Sequence, residues 1–270
     1  MVHSALGEGR DFLGVEFVRL QKEQLVEKLF EIARANEACD VHLLNAYSLS
    51  LLETESVFRA SILNSLCNVP DGKPLALLTR FSRKPLFQVR GPDLFRFALA
   101  TDNQAGVSHY FLGGDENTLG KLVSKVKNDY PHVSIAGAYS PPFRSLTPLE
   151  MEIQDAAIAE SKANVVWIGL GTPKQDIEAV RLASSIGVLC IAVGAAFGFE
   201  AGTLARSPRW VSAIGLEWIF RLLTEPKRLW RRYSLGNLIF IFRVLRFSMS
   251  PKKADINHET SRPEPTSTPS

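Results

Sequence analysis

The chain has 270 residues, 46% hydrophobic and 22% charged, ordinary values for a globular protein with a substantial core. Its +3 formal charge is unevenly spread: from Arg221 to Lys253 nine basic residues face Glu225 alone, a local +8 that leaves −5 elsewhere. That asymmetry points to phospholipid or a phosphorylated substrate, with no nucleic acid expected, and three scattered cysteines (Cys39, Cys67, Cys190) exclude a disulfide frame or zinc site.

Met1 to Arg10 is short, polar and glycine-containing, unlike a signal peptide. Phe12 to Phe17 reads as a first strand, and Gln24 to Asn36 as an amphipathic helix with Leu25, Leu29 and Ile32 on one face. Val41 to Leu44 is a short buried strand ending at Asn45, and Pro70, Asp71 and Gly72 form a turn. Val107 to Leu112 is a strand stopped by Gly113 and Gly114, followed by a helix from about Glu116 to Tyr130. Val133 to Ala136 leads into a proline-containing loop, Tyr139 to Phe143. Thr147 to Ser161 reads as a helix with Thr147 as N-cap, Pro148 at the first position and Glu150 as the capping-box acid. Asn164 to Ile168 is a strand, Pro173 to Ser184 a helix and Val188 to Val193 a strand.

This alternation predicts an α/β fold, a Rossmann-like and largely parallel sheet with helices on both faces. Ligands in such sheets bind beyond the carboxyl ends of the strands, so the loops at Asn45, Gly113, Gly169 and Gly194 should gather on one rim. Leu235 to Phe247 is apolar but interrupted by Arg243 and Arg246, so it is expected to lie on a membrane and not to cross it. From Ala254 onward Pro, Ser, Thr and Glu dominate, and a disordered tail is expected. The expected division is 11–220 as the α/β domain, 221–250 as a basic helical appendage and 251–270 as the tail.

Several motifs carry chemistry. GLGTPKQ, from Gly169 to Gln175, follows a strand and opens a helix, where backbone N–H groups can hold an anion. Thr172 as N-cap, Pro173 and Gln175 also satisfy a capping box with no ligand at all, and the two readings are compatible. A dinucleotide fingerprint would need a glycine where Lys174 stands. Asp71 is either a turn former or a carboxylate placed to take a proton from a hydroxyl. Asn45 either contacts a sugar or closes an Asx-turn. No Asp-x-Asp pair or H-E-x-x-H motif is present, so no metal ligands and no cofactor are assigned. His42 and His109 read as single core histidines in apolar surroundings. Arg221, Arg228, Arg231 and Arg232 recur at helical spacing with Trp218, Trp230 and Tyr233 between them, a pattern suited to an anionic membrane interface.

Taken together, FLGVEFVRL, LLNAYSL, PDGKPLALLTR, YFLGG, YPHVSIAGAYSPPF, VVWIGLGTPKQ, GAAFGFEAG and GLEWIFRLLTEPKRLWRRY resemble the WecG/TagA/CpsF glycosyltransferases, glycosyltransferase family 26. The resemblance implies a metal-independent inverting enzyme moving an N-acetylmannosamine-type sugar from a UDP-sugar donor to a polyprenyl-diphosphate-linked acceptor. It makes Asp71 the general base, Asn45 a substrate contact and Gln175 an active-site polar residue. It puts Arg90, Gly113, Gly114, Gly169, Gly171, Thr172 and Glu200 in the substrate site, and Arg221, Arg228, Arg231 and Arg232 at the diphosphates. Three positions differ from the family pattern: Leu43 replaces a threonine, Gln88 an arginine (with Arg90 two residues on), and Gly198 an aspartate. The implied setting is cytoplasmic, on the inner face of the cell membrane, with a homo-oligomer left open. The alternatives are a dinucleotide-binding oxidoreductase using GLGTPK and a non-catalytic membrane adaptor.

Overall fold

The structure, a computed structural model, describes residues 6–102, 106–205, 207–208, 211 and 217–249. Within its last two helices the side chains of residues 217–218, 221, 227–229, 231–235 and 248–249 lie outside the description. So does the expected tail.

The segment expected as one strand is a hairpin, β1 (Arg10–Phe12) and β2 (Val15–Phe17), paired antiparallel with Phe12 opposite Val15. Leu13 and Gly14 make the reversal, both at positive φ (57° and 76°), the geometry of a tight hairpin turn. A leucine is costly there; its side chain is buried in an apolar cluster with Phe12, Phe17 and Leu44, which offsets the cost. Two hydrogen bonds fasten the hairpin to the sheet: Val18 N–H to the Asn68 carbonyl (2.9 Å), and Asn68 Nδ2 to the Glu16 carbonyl (3.1 Å).

The chain continues as α1 (Lys22–Arg34), β3 (Cys39–Leu44), α2 (Ala46–Leu51), α3 (Ser56–Leu63), β4 (Cys67–Pro70), α4 (Lys73–Thr79) and α5 (Gly91–Thr101). Then come β5 (Ser108–Gly113), α6 (Glu116–Asp129), β6 (Ser134–Tyr139), α7 (Pro148–Ser161), β7 (Val165–Gly169), α8 (Lys174–Ile186), β8 (Leu189–Ala192) and α9 (Ala196–Ala201). Two C-terminal helices follow, α10 (Glu217–Thr224) and α11 (Pro226–Met249). β4 and the helices α2 to α5 and α9 are not among the elements expected from the sequence.

Six strands form one parallel sheet in the order β4-β3-β8-β7-β5-β6. Alternate residues of each strand serve opposite faces. On β7, Val165 and Trp167 pack into one cluster with residues of α1, α5 and α6, while Val166 and Ile168 join Ile158 of α7 and Leu182 of α8 in another. Both faces are therefore covered, which explains why the two middle strands, β7 and β8, are apolar throughout. The three cysteines are free and buried, and burial pushes the thiols of Cys67 and Cys190 well up, so they act as small apolar side chains.

α7 has the expected start: Thr147 Oγ1 accepts the Glu150 N–H (3.3 Å) and the Glu150 side chain accepts the Thr147 N–H (2.8 Å). Arg144, with that backbone bond, lowers the Glu150 carboxyl to about 2.

His42 and His109 are buried, as expected of core residues, but not in apolar surroundings. The Trp167 indole N–H donates to Nδ1 of His109 (2.8 Å), which leaves the Nε2 hydrogen to be donated to Asp102 (3.1 Å). His42 bridges Asp40 (2.9 Å, through Nε2) and Asp176 (3.1 Å, through Nδ1).

α11 is bifacial. Gly236, Phe240, Arg243 and Phe247 fall within about 60° of one another around the helix, and this face meets the protein. A Cβ on Gly236 would lie 2.8 Å from the Tyr47 ring, Phe240 is buried with Leu44 and Leu49, and Phe247 meets Phe12 edge-on at 6.3 Å. Arg243 donates to the carbonyls of Leu49 (2.8 Å) and Leu13 (2.6 Å) and pairs with Glu53 (3.1 Å). About half a turn away stand Leu238, Ile241, Phe242 and Leu245, each more than half exposed. Arg243, one of the two arginines that interrupt the apolar run, thus points inward. The sequence shows the apolar run and its arginines but not which side of the helix would find a partner.

Candidate active site

All six strands of the sheet end on the same edge, and the expected rim forms there. Leu44 and Pro70 are register partners, so Asn45 and Asp71 leave adjacent strands side by side. The Asp71 N–H donates to the Leu44 carbonyl (2.8 Å), and a Cβ on Gly72 would lie 3.3 Å from Cβ of Asn45. Asn45 Oδ1 accepts the N–H groups of Tyr47 (3.0 Å) and Ser48 (3.2 Å) and so caps α2. Its turn-closing reading is therefore realised at the rim itself. Asp71 Oδ1 accepts the Gly91 N–H (3.2 Å). The preceding residue, Arg90, is the N-cap residue of α5 and approaches Asp93 at 3.6 Å.

The glycine loops lie further along the edge. Gly113 pairs with Gly169, and a Cβ on Gly113 (φ 117°) would come within 2.7 Å of the Gly169 carbonyl carbon. A Cβ on Gly169 would strike the Phe197 ring at 2.6 Å. These two glycines answer first to packing. The amide of Gly114 donates to the Gly169 carbonyl (3.2 Å), and Ser140 Oγ donates to the Gly114 carbonyl (2.7 Å), joining the β5, β6 and β7 exits.

The start of α8 differs from the expected capping box. The helix begins one residue later, with Pro173 as N-cap after a cis Thr172–Pro173 bond and no side-chain cap. Gln175 instead turns back: its Oε1 accepts the Gly171 N–H (2.9 Å) and its Nε2 donates to Thr172 Oγ1 (3.4 Å). Its oxygen would be 3.3 Å from a Cβ on Gly194, so one buried amide buttresses the exits of both β7 and β8. The amide of Gly171, in the loop read from the sequence as an anion holder, and that of Gly114 are thus engaged within the protein. Lys174 beside them projects its ammonium over the exposed ring of Phe143, 5.6 Å from the centroid.

Glu200 is buried and its Oε2 accepts from Arg96 Nε (3.2 Å), linking α9 to α5. Leu43 is buried in the core, and at Gly198 a Cβ would lie 2.7 Å from Leu204, whose side chain fills the space a larger residue would need. The side chains of Arg221, Arg228, Arg231 and Arg232 lie outside the described residues. Sequence reasoning passed over Lys174 and Asp176, although both flank Gln175 in the motif, and over Tyr47, whose amide Asn45 caps. Among the described residues no three His, Cys, Asp or Glu side chains gather as a metal site, and no helix is long and apolar enough to cross a membrane.

The sequence profile of the glycosyl transferase WecG/TagA/CpsF family matches residues 10–254. The chain belongs to that family. This WecG/TagA/CpsF glycosyltransferase is 26% identical over 200 residues to the N-acetylglucosaminyldiphosphoundecaprenol N-acetyl-beta-D-mannosaminyltransferase of Bacillus subtilis (strain 168), covering 73% of this chain and 72% of the relative. It is 30% identical over 166 residues to the protein of the same name from Bacillus spizizenii (strain ATCC 23059 / NRRL B-14472 / W23), covering 61% of this chain and 62% of that relative. Membership makes the protein a glycosyltransferase, and the oxidoreductase and adaptor readings give way to it.

Proposed function

We propose that the protein is an inverting, metal-independent transferase acting in cell-surface polysaccharide assembly. It would move an N-acetylmannosamine-type sugar, or a related hexose or uronic acid, from a UDP donor to a sugar on a polyprenyl diphosphate. The reaction named for the two Bacillus relatives supports the kind of acceptor and sugar. The observation that carries the reading is the adjacency of Asp71 and Asn45 at the carboxyl edge of a parallel sheet, where such folds take their ligands.

In this reading Asp71 accepts the proton of the acceptor hydroxyl. The hydroxyl oxygen bonds to the anomeric carbon as the bond from that carbon to the UDP oxygen breaks on the opposite face, so the configuration inverts. Asn45 and Arg90 orient the reacting sugars, and Gln175, Thr172, Gly113, Gly114, Gly169 and Gly171 shape the donor side. With the amides of Gly114 and Gly171 engaged internally, the negative charge of departing UDP falls mainly to cationic side chains: Lys174 and the appendage arginines Arg221, Arg228, Arg231 and Arg232. Glu200 supports the site through Arg96.

The 221–250 appendage would rest on the inner face of the cell membrane. The exposed stripe Leu238, Ile241, Phe242 and Leu245, with Trp230 and Leu223 also exposed, lies within the +8 segment and supports an interfacial role.

The test is transfer from UDP-N-acetylmannosamine to an N-acetylglucosaminyl-diphosphoryl-polyprenol. Asp71→Asn should lower turnover by about 10²–10⁴-fold while UDP affinity stays within about twofold, less than 1 kcal/mol. Undiminished turnover removes Asp71 as base, and a requirement for added magnesium or manganese overturns the metal-independent reading. Deleting α11 would strip Phe240 from the core, so membrane binding is better tested by replacing Ile241, Phe242 and Leu245 with serine. That variant should fold yet leave anionic vesicles.

A further inference from the structure

α2 is only six residues long. A helix that short does not hold itself together in water, because the few bonds it closes do not repay the cost of nucleation. Its order must come from what packs on it, and α11 runs along it. Gly236 lets the helix close onto the Tyr47 ring and Ser50 Oγ, Phe240 buries itself against Leu44 and Leu49, and Arg243 binds the Leu49 carbonyl near the end of α2. The second guanidinium nitrogen of Arg243 holds the carbonyl of Leu13, the hairpin residue forced into positive φ. At the other end of α2 stands Asn45, whose Oδ1 is occupied by the Tyr47 and Ser48 amides and whose Cβ abuts the turn carrying Asp71.

We propose that Arg243 is a positioning residue for Asn45: by locking α11 onto α2 and the hairpin, it fixes the helix whose first turn orients Asn45 beside Asp71. The role assigned to Asn45 rests on the function proposed above. The brace itself rests only on the contacts.

The experiment uses the full chain and two variants. Arg243→Met keeps the apolar stem of the side chain but removes both carbonyl bonds and the pairing with Glu53; Gly236→Ala presses on Tyr47 from a different point. Hydrogen exchange is followed over 45–52 and over the sheet segment 165–186. Turnover and donor KM are measured with the UDP-sugar and polyprenyl acceptor, and binding to phosphatidylglycerol–phosphatidylcholine vesicles by co-sedimentation.

In Arg243→Met, exchange over 45–52 should quicken at least tenfold with 165–186 unchanged. Turnover should fall about tenfold, about 1.4 kcal/mol of barrier, with donor KM and vesicle binding within twofold of wild type. Gly236→Ala should shift exchange over the same segment, and it carries the test if Arg243→Met fails to fold. Unchanged exchange over 45–52 overturns the proposal, as does faster exchange across both segments alike, or local loosening with undiminished turnover. If wild-type protein transfers no sugar, the assigned reaction fails, while faster exchange confined to 45–52 still supports the brace.

Discussion

The side chain of Gln175 holds the backbone amide of Gly171 at 2.9 Å, and this single bond decides how the GLGTPKQ loop meets the rim. A buried amide with both ends engaged keeps the loop closed upon itself, so donor-side geometry depends on a residue with almost no surface of its own. Gln175→Leu preserves the bulk and removes both partners. It should cost about 1–3 kcal/mol of stability for the groups left unpaired, read as a lower urea midpoint, and should raise the KM for the nucleotide sugar. A variant with unaltered midpoint and KM would show that the loop does not need the bond.

The close approach of β5 and β7 leads to a second expectation. Gly113→Ala would set a methyl 2.7 Å from the backbone of Gly169 at a φ of 117°. Overpacking costs about 1–3 kcal/mol and the strained backbone a similar amount, so the variant should unfold several degrees earlier or fail to accumulate. Gly114→Ala, with its nearest neighbours at 3.7 Å, meets only the positive φ of 76° and should be the milder of the two. Thermal melts of the pair distinguish packing from backbone conformation, and equal losses would assign both to conformation.

Much of this architecture was legible because the central strands are short apolar runs bounded by turn residues, and the long helices carry either an amphipathic face or a capping signal. Val165–Gly169 and Ser108–Gly113 end in glycine, and α7 announces itself through Thr147, Pro148 and Glu150. The strand ends also placed Asn45, Gly113, Gly169 and Gly194 on one edge, since parallel strands all finish on the same side. What stayed hidden depends on distant partners. The capping-box spacing of Thr172 and Gln175 is present as a pattern, yet Gln175 Oε1 accepts the N–H of Gly171 and the helix starts one residue later. Arg243 read only as a charge interrupting an apolar run, because nothing local shows that the carbonyls of Leu13 and Leu49 await it. The surroundings of His42 looked apolar although one partner, Asp40, stands two residues before it on the same face of β3; the other, Asp176, lies 134 positions away in sequence.

That pairing makes stability depend on pH in a definite direction. Burial alone would drive His42 toward neutrality, but hydrogen bonds to Asp176 and Asp40 outweigh it and raise the imidazolium from its ordinary 6.5 to about 9. A group whose pKa is raised by folding contributes fully below its unfolded value and loses that contribution as pH climbs through the folded one. Stability should therefore hold to about pH 6.5 and decline progressively as pH rises through about 9. The proton leaves Asp40 and Asp176 facing each other across a neutral ring, and Asp176 Oδ2 is buried with no hydrogen-bond partner. Urea midpoints at pH 6 and pH 9.5 would measure the slope. His42→Leu removes the cation at every pH, so it should lose about 3–5 kcal/mol at neutral pH and show a flatter profile over the same range. A wild-type midpoint that does not fall between those two pH values would mean that His42 is already neutral at pH 6, held by the two carboxylates without carrying a charge.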